Sequence, residues 1–218
     1  MEEYSFVISH KLRSPVANLM GLSELIELQQ TEKNEKFIQY IGESARELDN
    51  ILRDLNDFLL LEKAELLFTT INLKSCIQHA KSQLRKEIEE SQVEMSEELQ
   101  VEYFQSQQSL LTKIIYNLLS NAIRFRYPGR EHQVSIKSRK QEDRIIIEFR
   151  DNGLGINLKR YQKKLFQPYQ RFHNHTQGKG VGLYLARLMA EKLGGSLGVE
   201  SEVYEGSVFI LKLPGQQS

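Results

Sequence analysis

Apolar residues recur at helical spacing through the first third of the chain. Leu12, Val16, Leu19, Leu22 and Ile26 step by three or four. After the polar break QQTEKNEK, the positions Phe37, Ile41, Ser44, Leu48, Ile51, Leu55 and Phe58 alternate steps of four and three. The second series is an a/d seam, so the spacing predicts two long helices joined by a short turn. A hairpin with one long apolar seam cannot bury it alone, whereas two hairpins bury both seams in a four-helix bundle. The pattern therefore predicts a homodimer.

Beyond residue 66 the period changes repeatedly. LLFTTINL reads as a strand, SCIQHAKSQLRKEIEE as a helix and VEYF as a strand. QQSLLTKIIYNLLSNAIRFRYPG reads as a helix of about five turns that ends at a Pro-Gly stop. QVSIKSRK and RIIIEFRD alternate as strands of a hairpin. A glycine-rich stretch, the helix LYLARLMAEKLGG with its Gly-Gly stop, and the strands SLGVES and GSVFILKLP follow. Helices on one side of a mostly antiparallel sheet make an α+β domain.

Composition supports a division into two parts. Only Gly21 and Gly42 of the 13 glycines precede residue 129. The 29 basic and 29 acidic side chains cancel over the 218 residues, yet residues 1–66 hold 13 acids and 7 bases while residues 67–218 hold 16 acids and 22 bases. The expected boundaries are therefore 1–66 and 67–218. The basic residues form no arginine-rich stripe, which argues against nucleic-acid binding. The lone Cys76 cannot make an internal disulfide and fits a reducing compartment. No apolar run approaches the roughly 20 residues that span a bilayer, and MEEYSF has no signal pattern. The expected location is the cytoplasm, either as a free chain or as the cytoplasmic part of a membrane-anchored sensor.

Candidate chemistry falls at four places. His10 heads a stripe of small residues, Ser14, Ala17 and Gly21, that leaves its imidazole approachable, and Pro15 should bend the helix just past it. Asn117 and Asn121 lie one turn apart on a single helix face. Two neutral amides suit a Mg²⁺ whose anionic ligands come from nucleotide phosphates. Arg124, near the same face, suits a phosphate, and Phe125 offers a ring to a base. Asp151 ends a strand, where a carboxylate can accept from an exocyclic amine. DNGLGI (151–156) and GKGVGL (178–183) are glycine boxes of neither dinucleotide-fold nor Walker spacing, and the second leads into a helix N-terminus. His173 and His175 have H-x-H spacing but lie in a polar loop, where solvated histidines are the ordinary case.

SHKLRSPVANL resembles the phosphoacceptor box of sensor histidine kinases. NLLSNA resembles their N box, DNGLGI and GKGVGL their glycine boxes, LFQPYQRF the phenylalanine box, and GGSLGVESEVYEGSVFILKLP the end of their catalytic domain. The resemblance covers nearly the whole chain in the family's order. It implies a hairpin forming a dimeric four-helix bundle, followed by an α+β two-layer sandwich of the gyrase, chaperone and histidine-kinase type that binds ATP and Mg²⁺. It further implies that His10 is phosphorylated and passes the phosphoryl group to a response-regulator receiver domain. Asn121 matches the metal-holding asparagine, with Asn117 supporting it, and Asp151 the adenine-reading aspartate. Gly153, Gly155, Gly178, Gly180 and Gly182, with Leu183, match the glycine boxes. Arg171 and Lys179 stand in the stretch that matches the ATP lid, roughly 167–179. Ser14 stands where many members place a residue that positions water for dephosphorylating the partner. At Lys11 the chain departs from the family, which has an acidic residue there. That substitution keeps open a nucleotide-binding dimeric scaffold, or a phosphatase-biased member, as the alternative.

Overall fold

In a computed structural model the chain divides into two units, Met1–Ala64 and Glu65–Ser218. The structure describes residues 12, 14–23, 34–63, 66–170 and 180–215. In the first unit α1 covers 14–23 and α2 covers Asn34–Lys63. The predicted seam is the inward face of α2. Ser44, Ile51 and Phe58 are buried, Phe37, Ile41, Leu48 and Leu55 are half-buried, and the off-seam Ile38, Tyr40, Leu52 and Leu59 are exposed. Pro15 is helical and buried, while the bend predicted before it lies outside the described residues.

The second unit begins with β1 (Thr69–Asn72) and α3 (Leu73–Gln83), whose first turn is capped by the Asn72 side chain accepting from the Ser75 amide at 2.9 Å. The single helix expected over 75–90 is broken in two. The chain leaves helical geometry at the buried Leu84, whose amide is shared between the carbonyls of Ala80 and Lys81, and resumes as α4 (Arg85–Ser91). Then follow β2 (Glu94–Leu99), β3 (Tyr103–Ser106), α5 (Gln108–Arg124), β4 (Gln133–Gln141), β5 (Arg144–Asp151), the short α6 (Leu158–Tyr161), α7 (Gly182–Lys192), β6 (Ser196–Glu202) and β7 (Gly206–Pro214).

Five strands form one sheet in the order β2-β4-β5-β7-β6, antiparallel except for β2 against β4, and β1 pairs with β3 alone. Strand β2, EMSEEL, has no counterpart in the predicted elements. It is an edge strand with four of its six side chains exposed, so backbone pairing to β4 holds it and no apolar alternation announces it. Helix α5 packs between α3 and α7 over the sheet. Its buried face comprises Leu110, Leu111, Ile114, Ile115, Leu118, Leu119, Ala122 and Ile123, facing strand residues such as Ile136, Ile147, Phe149 and Leu211. At roughly 1.5–3 kcal/mol for each large aliphatic group, this face anchors the helix that carries Asn117 and Asn121.

Candidate functional site

Burial of the face just described leaves α5 a second, half-buried side, on which Asn117 and Asn121 sit one turn apart. The Asn117 amide is directed at the start of α7. A Cβ placed on Gly182, the first residue of that helix, would lie 3.0 Å from Asn117 Oδ1, so any side chain there would push the Asn117 amide aside. The α7 N-cap is Val181, which makes no side-chain cap bond. The first turn therefore presents amide donors and the positive end of the helix dipole beside the two asparagines. Leu183 is half-buried in that turn, and Gly180 lies just ahead of it.

Asp151 closes β5, fixed by the register of its neighbours Val134 in β4 and Ser207 in β7. It is 7% exposed, and the amide of Gly153 donates to its Oδ1 at 2.9 Å. Burial pushes its carboxyl up to about 6, opposed by the backbone amides of Gly153 and Ser207, which favour the charged form. Ser201 supports this corner from β6. Its Oγ accepts from the Ile156 amide at 2.8 Å, donates to the Gly206 carbonyl at 2.8 Å and lies 3.0 Å from Ser207 Oγ.

The loop after Asp151 is stitched to two other elements. The Leu154 amide donates to the Phe125 carbonyl at the exit of α5, and the Tyr204 amide donates to the Leu154 carbonyl, both at 2.8 Å. Gly155 has φ +63°, and a Cβ there would fall 1.9 Å from the Glu202 carbonyl oxygen, so this crossing requires glycine. Phe125 is half-buried at the α5 C-cap. Arg124 is exposed and lines a cleft of about 240 Å³ on the α4 side of α5 together with Glu87, Glu90 and Arg126.

Asn117, Gly182 and Leu183 are thus brought together at one end, and Asp151, Gly153, Gly155 and the Phe125 backbone at the other, with Asn121 on α5 between Asn117 and Phe125. Ser14 is exposed on α1. His10, Lys11, Arg171, His173, His175, Gly178 and Lys179 lie outside the described residues. Among the described residues no cluster of three or more His, Cys, Asp or Glu could hold a metal, and no helix is long and apolar enough to cross a membrane. Sequence reasoning missed three supporting residues, Ser201, Arg130 and His132. Arg130 Nη2 donates to the Tyr204 carbonyl at 2.8 Å, and its guanidinium stands 4.7 Å from the centre of the Tyr127 ring. None of the three belongs to a periodic pattern, so spacing carried no signal for them.

Each of the two units matches a known family. Residues 106–217 match the family described as histidine kinase-, DNA gyrase B-, and HSP90-like ATPase, and residues 6–65 match the His Kinase A (phospho-acceptor) domain. The chain belongs to the sensor histidine kinase family. This histidine kinase chain is 28% identical over 98% of its length to the circadian input-output histidine kinase CikA of Synechococcus elongatus, covering 30% of that protein. It is 31% identical over 94% of its length to the aerobic respiration control sensor protein ArcB of Escherichia coli, covering 28% of it. The kinase chain thus spans under a third of the length of these curated relatives. The solved histidine kinase ThkA, in complex with the response regulator protein TrrA, shares its fold with a TM-score of 0.75 at 20% identity, over 98% of this chain and 61% of that one.

Proposed function

We propose that this chain is an ATP-dependent protein-histidine autokinase that phosphorylates His10 and passes the phosphoryl group to an aspartate of a response-regulator receiver domain. The observation that carries this reading is the meeting of Asn117 with the first residue of α7. It joins a pair of neutral amides to an uncapped helix start, a donor set that fits the phosphate end of a nucleotide. The buried Asp151 at the other end of the same surface fits the amine edge of adenine.

In this reading Asp151 accepts a hydrogen bond from the adenine amine and Phe125 lies against the base. The amides of the α7 first turn, with Gly178, Gly180, Gly182 and Leu183 shaping the loop, receive the phosphates. Asn121 and Asn117 would hold Mg²⁺, which would supply charge neutralisation to the nucleotide phosphates. Arg171 and Lys179 are the candidate phosphate contacts from the stretch 167–179. Arg124 is the weakest of these assignments, because it lines the cleft with Glu87 and Glu90. A neutral His10 imidazole attacks the γ-phosphorus. The new P–N bond forms as the bond to the ADP oxygen breaks, and the proton on the other ring nitrogen leaves to water. Lys11 cannot take that proton while charged, so it serves instead to attract the phosphates or the acidic pocket of the receiver. Ser14 is the residue placed to orient water in the reverse, dephosphorylating direction.

The single chain already buries the a/d seam of α2, and the apolar residues left exposed beside it, Ile38, Tyr40, Leu52 and Leu59 on α2 with Val16 and Met20 on α1, support a homodimer in which two hairpins form a four-helix bundle, with 1–66 as the dimerisation and phosphotransfer part and 67–218 as the catalytic part. An ATP requirement sets the reaction in the cytoplasm. The test is incubation of the full chain with Mg²⁺ and γ-labelled ATP. Acid-labile, base-stable label absent from His10→Ala is the expected result. Tight ATP binding without label would favour the scaffold alternative raised by Lys11.

A further inference from the structure

His132 is 6% exposed and lies one residue before β4. Its Nε2 is 3.0 Å from the carbonyl oxygen of Ala122 in the last turn of α5, so Nε2 carries the hydrogen and donates. Its Nδ1 is buried with no hydrogen-bond partner among the described residues. A protonated ring would bury a second N–H there with no acceptor, which keeps the ring neutral. Burial holds its pKa below the ordinary histidine value, opposed by the bond to Ala122, and the nearby Arg126 charge adds to the lowering.

The backbone on either side of the ring is held from two directions. The Glu94 amide donates to the His132 carbonyl at 2.8 Å, the Gln133 amide donates to Asn152 Oδ1 at 2.9 Å, and Asn152 Nδ2 donates to the Glu131 carbonyl at 2.7 Å. A continuous bridge results. It runs from Ala122, next to Asn121, through the His132 ring and Gln133 to Asn152, next to Asp151.

We infer that His132 is a positioning residue that fixes the spacing between the α5 turn carrying Asn121 and the β5 end carrying Asp151, and so the register of adenine against phosphates in one nucleotide. The inference rests on the nucleotide-binding reading given above. The exit of α5 and the loop after β5 already meet through the Leu154 amide and the Phe125 carbonyl. The imidazole supplies a second support, and without it the Ala122 carbonyl of the last helical turn loses its partner and that turn is held at one point fewer. A ligand that touches only one end tolerates such a loosening, whereas a ligand that touches both does not.

The experiment uses the full chain as wild type, His132→Phe and His132→Gln, with ATP and adenosine each displacing a fluorescent ATP analogue in the presence of Mg²⁺. Gln keeps a donor nitrogen near the position of Nε2, and Phe does not. His132→Phe should weaken ATP about tenfold and adenosine less than about threefold, with His132→Gln within about threefold of wild type for both. Nitrogen-15 NMR of the wild type should show a neutral ring with the hydrogen on Nε2. Unchanged ATP affinity in His132→Phe, equal losses for ATP and adenosine, a folded His132→Gln as weak as Phe, or a hydrogen on Nδ1 would each overturn the inference. If His132→Phe does not fold, His132→Gln and the wild-type tautomer still decide it. Wild type that binds no ATP would overturn the functional reading itself, a result distinguishable from all of these.

Discussion

Replacing Asp151 by Asn should separate stability from function. The wild-type carboxyl is pushed from its ordinary 3.8 up to about 6 by burial. At pH 7 it is ionised in both folded and unfolded chains, so this raised value costs the fold about 3 kcal/mol there. As pH falls from about 6 towards 4, the folded state takes up a proton that the unfolded state does not, and that cost disappears. Asparagine carries no charge and removes the cost at every pH. It also has only one acceptor oxygen for the two backbone donors that now point at the carboxylate, Gly153 and Ser207. Turning its amide nitrogen towards one of them leaves a buried N–H unpaired, worth about 1–3 kcal/mol. The two effects oppose each other, so the net change in stability at pH 7 should lie within about 2 kcal/mol of zero. ATP affinity should nevertheless fall about 10- to 100-fold, because a charge-assisted acceptor for the adenine amine, worth about 1.5–3 kcal/mol, is gone. Urea unfolding and calorimetric titration with Mg²⁺ and ATP measure the two quantities on the same sample. ATP binding within twofold of wild type, or a loss of more than about 4 kcal/mol of stability, would refute the reasoning.

Other substitutions follow from the same contacts. Wild-type ATP affinity should decline as pH falls through about 6 by an amount absent in Asp151→Asn; parallel profiles of the two proteins would remove Asp151 as the cause. Gly155→Ala places a Cβ 1.9 Å from the Glu202 carbonyl at a left-handed φ of +63° and should lower stability by roughly 2–4 kcal/mol in urea unfolding, whereas a change under about 1 kcal/mol would contradict that crossing. Gly182→Ala meets only the Asn117 side chain, at 3.0 Å, which can give way. It should change stability by less than about 1 kcal/mol while weakening Mg²⁺-dependent ATP binding severalfold, and unchanged binding would separate Asn117 from the phosphate end.

Legibility in the sequence followed physical cause. The a/d seam of α2 was readable because one face must be buried: Ser44, Ile51 and Phe58 on it are buried, while Ile38, Tyr40, Leu52 and Leu59 off it are exposed. Helix α5 was readable for the same reason, and its two asparagines stood out because they interrupt the pattern at one-turn spacing. Strand β2 was invisible because an edge strand rich in glutamate depends on its neighbour's backbone. The break at Leu84 was invisible because Leu84 continues the apolar period across a point where the chain turns. Asp151 was legible through the glycines that follow it, since close backbone crossings demand them. Ser201, Arg130 and His132 were not, because each acts through carbonyls and amides brought near by the fold. Hydrogen bonds to distant backbone leave no spacing in the sequence.

On the proposed reading, the surface between Asn117 and Asp151 binds the nucleotide whose phosphoryl group passes to His10. The most direct measurement is the labelling of the full chain by γ-labelled ATP with Mg²⁺, compared with Asn121→Ala, Asp151→Asn and His10→Ala. Acid-labile, base-stable label should form on the wild type, be strongly reduced in the first two variants and be absent from the third. Label that persists in His10→Ala, or a wild type that binds ATP tightly and acquires none, would contradict the account.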